Sequence, residues 1–252
     1  MKKFIAANWK MNKTIEDSIS FIKEFKKLVK YDKNVEIVIC PPFTSLQSVA
    51  KELKGSSIKL GAQNMHFEQS GPYTGEVSAP MLREIGCEYV ILGHSERRES
   101  FGETDELINK KVIAALKQGL NPILCVGETL EQRQHDKTED VLEDQLIKCL
   151  KGVNEAKNLV IAYEPVWAIS NGNPNQKAAT KADAEECHIF IRKLLAGIFD
   201  EQTSKNIRII YGGSMKPENA KGLLSMPNID GGLVGNASLN AKSFAEIEGS
   251  AR

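Results

Sequence analysis

Apolar residues along this chain fall into short, solid runs with no polar alternation. Eight of them recur: Phe4–Ala7, Val35–Cys40, Ile58–Leu60, Tyr89–Leu92, Ile123–Val126, Leu159–Tyr163, Ile207–Tyr211 and Ile229–Val234. Runs of this length and texture predict strands that are buried on both faces. Helical periodicity fills the intervals. Ile15, Ile19, Ile22, Phe25 and Leu28 follow a Thr14-x-x-Asp17 cap signature, and Ala184, Cys187, Ile191, Leu194 and Ile198 follow Thr180-x-x-Asp183. Weaker helical patterns cover 44–53, 78–85, 104–117, 138–150, 217–224 (with Pro217 suited to a first turn) and 240–248.

Eight strand–helix units in 252 residues, with strands apolar on both faces, predict an α/β chain whose parallel sheet closes into a (β/α)8 barrel. No linker, low-complexity tract or charge block divides the chain, so one domain is expected over residues 1–252. A doubly wound open sheet is the alternative, although no G-x-G-x-x-G fingerprint follows the first strand.

Composition narrows the partners more than the fold. Thirty-three basic residues balance thirty-three acidic ones, so no global field draws the chain to nucleic acid or to an anionic membrane, and any anion site must be local. Five scattered cysteines, an odd number without C-x-x-C spacing, predict reduced, core-facing thiols and no metal site. Lys2 and Lys3 precede only four apolar residues, far short of a signal peptide, and no run is long enough for a membrane helix. A cytoplasmic location is the expectation.

In a barrel of this kind chemistry gathers where strands end and loops begin. Those places hold Asn8-Trp9-Lys10, Gly93-His94-Ser95-Glu96-Arg97, Cys125-Val126-Gly127-Glu128, Glu164, Tyr211-Gly212-Gly213-Ser214 and Gly235-Asn236-Ala237-Ser238. The inventory is an ammonium, an imidazole, a carboxylate and two small-residue loops whose backbone N–H groups could cradle phosphate. Each has a plainer reading alone: a solvated lysine, a satisfied loop histidine, a strand-end carboxylate, ordinary glycine turns. Cys125 reads as core packing, and His66, His135 and His188 suggest no chemistry. After Glu164, Pro165 stops the strand, and Val166, Trp167, Ala168 and Ile169 form an apolar stretch that needs something to cover, as a hinged flap would.

Taken together these motifs resemble the triosephosphate isomerase family from Asn8-Trp9-Lys10 to Gly235-Asn236-Ala237-Ser238. The resemblance implies reversible isomerisation of dihydroxyacetone phosphate and D-glyceraldehyde 3-phosphate by a homodimer that uses neither metal nor organic cofactor. It implies Glu164 as the base, His94 as a neutral electrophile, Lys10 as the substrate-facing ammonium and Asn8 as a polar contact beside it. Ser170, Ser214, Gly235 and Asn236 fall at phosphate-binding positions. Glu96 is similar to a supporting carboxylate beside the site that does not itself transfer the proton. The loop Gln63–Ser78 resembles the segment that docks into a partner subunit, placing Thr74 near the neighbour's site.

Three departures from the family pattern stand out. Ser170 and Asn236 replace glycines, the second being tolerable even in left-handed backbone. Asn173–Gln176 is additional sequence in the flap. Lengthening a flap from about 11 to about 15 residues costs only about 0.3 kcal/mol if the addition stays solvated, whereas ordering four residues on closure would cost roughly 4–8 kcal/mol. A passive bulge outside the hinge is therefore expected, with Val166–Gly172 closing as in the family.

Overall fold

A computed structural model describes residues 1–30, 32–169 and 179–252. Its strands are β1 (Lys3–Asn8), β2 (Val35–Cys40), β3 (Lys59–Ala62), β4 (Tyr89–Leu92), β5 (Asn121–Val126), β6 (Val160–Tyr163), β7 (Arg208–Tyr211) and β8 (Gly231–Val234). They pair in parallel, in chain order, and β8 returns to β1, closing the predicted barrel and excluding the open sheet. The helices are α1 (Ile15–Leu28), α2 (Leu46–Leu53), α3 (Ala79–Ile85), α4 (Ser95–Phe101), α5 (Asp105–Lys117) and α6 (Leu130–Gln134). They continue with α7 (Thr138–Cys149), α8 (Lys181–Ile198), α9 (Glu201–Asn206), α10 (Pro217–Leu224) and α11 (Ala241–Gly249). No described helix is long and apolar enough to cross a membrane.

The solid apolar runs arise because alternate strand residues serve two cores. Phe4, Ala6, Val38, Cys40, Ile91, Ile123, Cys125, Ala162 and Ile210 point into the barrel. Ile5, Ala7, Ile37, Ile39, Leu92, Leu124, Ile161 and Ile209 point out to the helices. Both cap signatures form complete capping boxes, Thr14 with Asp17 and Thr180 with Asp183. The third strand lies slightly later than Ile58–Leu60, since Gly61 and Ala62 pair without contributing an apolar signal. Helices α4, α6 and α9 have no predicted counterpart; each is five to seven residues long, too short for periodicity to register.

At the end of the barrel away from the loops that follow the strands, polar side chains complete the interior. Glu36 accepts from Tyr89 Oη at 2.6 Å and from Arg208 Nη1 at 2.6 Å, and the guanidinium lies 4.4 Å from the Phe4 ring centroid. Burial works against the Glu36 carboxylate, but these two donors hold it below the ordinary range, as an ion pair with satisfied hydrogen bonds requires.

A fully buried histidine on α8 couples the fold to pH. His188 Nδ1 meets the Asn228 carbonyl at 3.0 Å, and burial pushes its imidazole down to about 4. An unfolded chain would protonate this group first, near pH 6.5, so its contribution to stability is complete above that value and is lost as pH falls toward 4. The gap is worth about 3 kcal/mol. Urea unfolding across this range should show stability falling on the acid side, with a shallower fall in His188→Gln; equal slopes would assign the acid sensitivity elsewhere.

Candidate active site

Strand closure brings the ends of β1, β4, β6, β7 and β8 around one cavity of about 420 Å³, lined among others by Asn8, Lys10, His94, Glu164, Ser214, Gly235 and Asn236. Seven of the eight expected site residues therefore share a single space. Ser170, the eighth, and the additional segment Asn173–Gln176 lie outside the described residues.

Glu164 is only 2% exposed, and both carboxylate oxygens are engaged. Oε2 accepts the Ser95 backbone N–H at 3.0 Å, and Oε1 lies 3.1 Å from His94 Nε2. The imidazole is oriented from its other side. His94 is the N-cap of α4, and its Nδ1 accepts the Glu96 N–H at 3.2 Å. A ring nitrogen that accepts cannot carry a proton, so the neutral ring holds its proton on Nε2, facing Glu164 and the cavity.

Lys10 enters from the first loop in left-handed backbone, φ 53°, an unusual state for a residue other than glycine. Its surroundings over-determine that state. The Lys10 N–H donates to Asn8 Oδ1 at 3.0 Å, Gln63 Nε2 donates to the Lys10 carbonyl at 2.9 Å, and Nζ meets Glu96 Oε1 at 2.7 Å. Asn8 and Glu96 thus both brace the ammonium, Asn8 through the backbone and Glu96 directly. Gln63 also donates to the Cys40 carbonyl at 2.9 Å, so the root of the 63–78 loop is tied to the same point.

The phosphate candidates differ in how available they are. Gly235 opens a 3₁₀ turn, Asn236–Leu239, and Lys10 Cε would lie 3.5 Å from a Cβ added at Gly235. Asn236 is not among the described residues with positive φ, so its replacement of glycine needs no left-handed tolerance. The Ser214 N–H is already donated, to the Ala168 carbonyl at 3.3 Å, which ties the start of the flap to the seventh loop. Val166–Ala168 forms a 3₁₀ turn with Ala168 buried. The cover that Trp167 needs comes from Glu128 and Arg133: Nε1 donates to Glu128 Oε1 at 2.7 Å, and the guanidinium lies 4.4 Å from the indole centroid. Glu128 is fully buried and also accepts from Tyr163 Oη at 3.1 Å. Cys125 is buried, and its thiol is pushed well above the ordinary range by that burial, consistent with packing and not with a nucleophile.

This geometry coincides with relationship over the full chain. The sequence model described as triosephosphate isomerase matches residues 3–251. A triosephosphate isomerase of Carboxydothermus hydrogenoformans is 55% identical, the alignment covering 98% of this chain and 97% of that one. One of Aquifex aeolicus is 52% identical over 98% of both chains, and one of Clostridium novyi 52% identical over 98% and 97%. The chain belongs to the triosephosphate isomerase family.

Several parts of the isomerase's site carry no motif signal of their own. Ser95 acts through its backbone, Gln63 through a contact across the barrel rim, and Gly127 and Gly212 through the absence of a side chain. A Cβ on Gly127 would fall 1.8 Å from the Glu164 carbonyl, and one on Gly212 would fall 2.6 Å from Glu164 Cγ. The Gly212-Gly213 pair after β7 signals Gly212 only as a turn. Gly212→Ala must displace the Glu164 side chain by on the order of 1 Å, enough to cost roughly 100-fold in kcat. Steady-state kinetics beside a melting curve check this; an active variant with native kcat would show that the carboxylate is free to relocate.

Proposed function

We propose that Glu164 is the base, His94 the electrophile and Lys10 the substrate-facing cation in this enzyme's reaction. That reaction is the reversible interconversion of dihydroxyacetone phosphate and D-glyceraldehyde 3-phosphate. One observation carries the assignment: a buried carboxylate 3.1 Å from a histidine whose proton faces the same cavity as an ammonium. Glu164 takes a proton from the carbon beside the carbonyl and returns it to the neighbouring carbon. To do so it must release Ser95 and His94. Negative charge develops on oxygen in the enediolate, and once Glu164 is released His94 Nε2–H joins Lys10 Nζ as a donor whose position is already set, the ring by the Glu96 N–H and the ammonium by Glu96 Oε1, so little further reorganisation is needed. Ser170, Ser214, Gly235 and Asn236 hold the phosphate end, and Asn8 is a polar contact beside Lys10. Because the Ser214 N–H is donated to the Ala168 carbonyl, a phosphate bound there competes with that carbonyl for one donor.

Glu164→Asp retracts the carboxylate by one methylene, roughly 1 Å, and should lower kcat by about 100-fold with modest change in KM. A coupled assay with glyceraldehyde 3-phosphate measures it. Near-native kcat would assign the base elsewhere.

The reading extends to one barrel domain over residues 1–252 and to a cytoplasmic setting, supported by the full-length family match and five buried free thiols. It also extends to a homodimer through Gln63–Ser78, with Thr74 beside the neighbour's site. Support comes from apolar side chains at one end of the barrel: Met11, Phe43 and Tyr73, which follow β1, β2 and β3, and Phe101, the last residue of α4, are 95%, 40%, 40% and 68% exposed. Such a grouping suits a partner surface. Within the loop, Tyr73 packs 4.2 Å from His66. Shortening the loop around residues 68–76, with Gln63 kept in place, should yield a weakly active monomer in ultracentrifugation; an unperturbed dimer would move the interface elsewhere.

A further inference from the structure

The first loop contains a second left-handed lysine, Lys13, at φ 74°. Glycine would adopt this backbone without strain, yet a long cationic side chain occupies it. That side chain has a definite place. Lys13 Nζ donates to the Leu239 carbonyl at 2.9 Å and lies 4.9 Å from the Phe21 centroid and 5.4 Å from that of Trp9. Trp9 and Phe21 are buried and meet edge-on at 4.9 Å, so the ammonium rests on a fixed aromatic platform.

Leu239 ends the 3₁₀ turn that begins at Asn236. The turn is stiffened by Ser238, whose N–H and Oγ reach the Gly235 carbonyl at 2.8 and 2.7 Å. A cation on the carbonyl end of a helical turn is electrostatically well placed. Lys13 therefore joins the loop that carries Lys10 to the loop that carries Gly235 and Asn236. It does this from outside the active-site cavity, in a separate crevice between α1 and the start of α11.

We propose that Lys13 is a positioning residue for substrate binding, its bridge from the first loop to the eighth setting the spacing between the Lys10 ammonium and the Gly235–Asn236 cradle. This rests on the reading of Lys10 and the cradle given above. The phosphate is present in substrate and transition state alike, so a looser spacing weakens both equally and appears in KM, not in kcat.

Lys13→Met keeps the stem over the rings and removes the donor, while Lys13→Arg keeps both charge and donor. Both retain a side chain at the left-handed position, so backbone strain is unchanged. For Lys13→Met, KM for glyceraldehyde 3-phosphate and Ki for inorganic phosphate should each rise about 5- to 10-fold, the effect of one lost charge-assisted hydrogen bond. Its kcat should stay within about twofold, and Lys13→Arg should restore KM and Ki to within about twofold. The rise should persist at about 0.3 M salt, where a distant charge is screened. A rise that disappears with salt would make Lys13 a mere attractor of anions and overturn the proposal. So would an unchanged KM and Ki, with or without a lower melting temperature. Lys10→Met serves as the control: if it also leaves KM and Ki unchanged, the reading of the site falls and this proposal with it. If Lys10→Met raises them and Lys13→Met does not, only this proposal falls.

Discussion

A parallel sheet closed on itself has two faces to bury and no edge to expose. The inner face is filled by side chains from each part of the barrel, among them Ala6, Val38, Ile91, Ile123, Cys125 and Ile210. The outer face packs Ile5, Ile39, Leu92, Leu124 and Ile161 against the helices. Closure has a second consequence. Because every strand runs the same way, all eight strand ends meet at one rim, and residues as far apart as Asn8, His94, Glu164 and Gly235 line one cavity.

At that rim the reactive side chains are held largely by backbone groups. The Ser95 N–H fixes Glu164, the Glu96 N–H fixes the His94 tautomer, and the Lys10 carbonyl and N–H take Gln63 and Asn8. Backbone donors and acceptors belong to strands and helices already anchored by the two cores, so they hold position without further ordering cost. The same close quarters explain why glycine stands at 127 and 212, where a Cβ would collide with Glu164. Strain follows the same logic at Lys10 and Lys13, since left-handed backbone in residues with side chains persists only where the surroundings over-determine it.

The short turn after β6 is fastened on two sides. Pro165 ends the strand, Val166–Ala168 folds into a turn, and Glu128 and Arg133 fasten Trp167 from below. The Ala168 carbonyl reaches the seventh loop at Ser214. This turn is thus bonded both to the buried Glu128 carboxylate and to the backbone of Ser214, so on the proposed reading a phosphate at Ser214 would draw on a donor the turn already uses.

Much of this was legible in the residues alone. Predominantly apolar runs marked the eight strands because two-sided burial leaves little room for polar alternation. Thr14 and Thr180 marked the capping boxes of α1 and α8 because the required oxygen and its partner lie three residues apart. Strand-end residues marked the site because a closed parallel barrel has one functional rim. What escaped was of two kinds. Helices α4, α6 and α9 are too short to show a period, and β3 ends in Gly61-Ala62, which carries no apolar signal. The rest depends on contacts distant in sequence: Ser95 to Glu164, separated by 69 residues, Gln63 to Lys10 by 53, Trp167 to Glu128 by 39 and Lys13 to Leu239 by 226. Periodicity and motif spacing report which face of an element is buried and which residue ends it. Only closure of the barrel decides which of those ends touch, because the partner in each pair is a backbone atom, an absent Cβ or a distant side chain that leaves no mark on its neighbours in the chain.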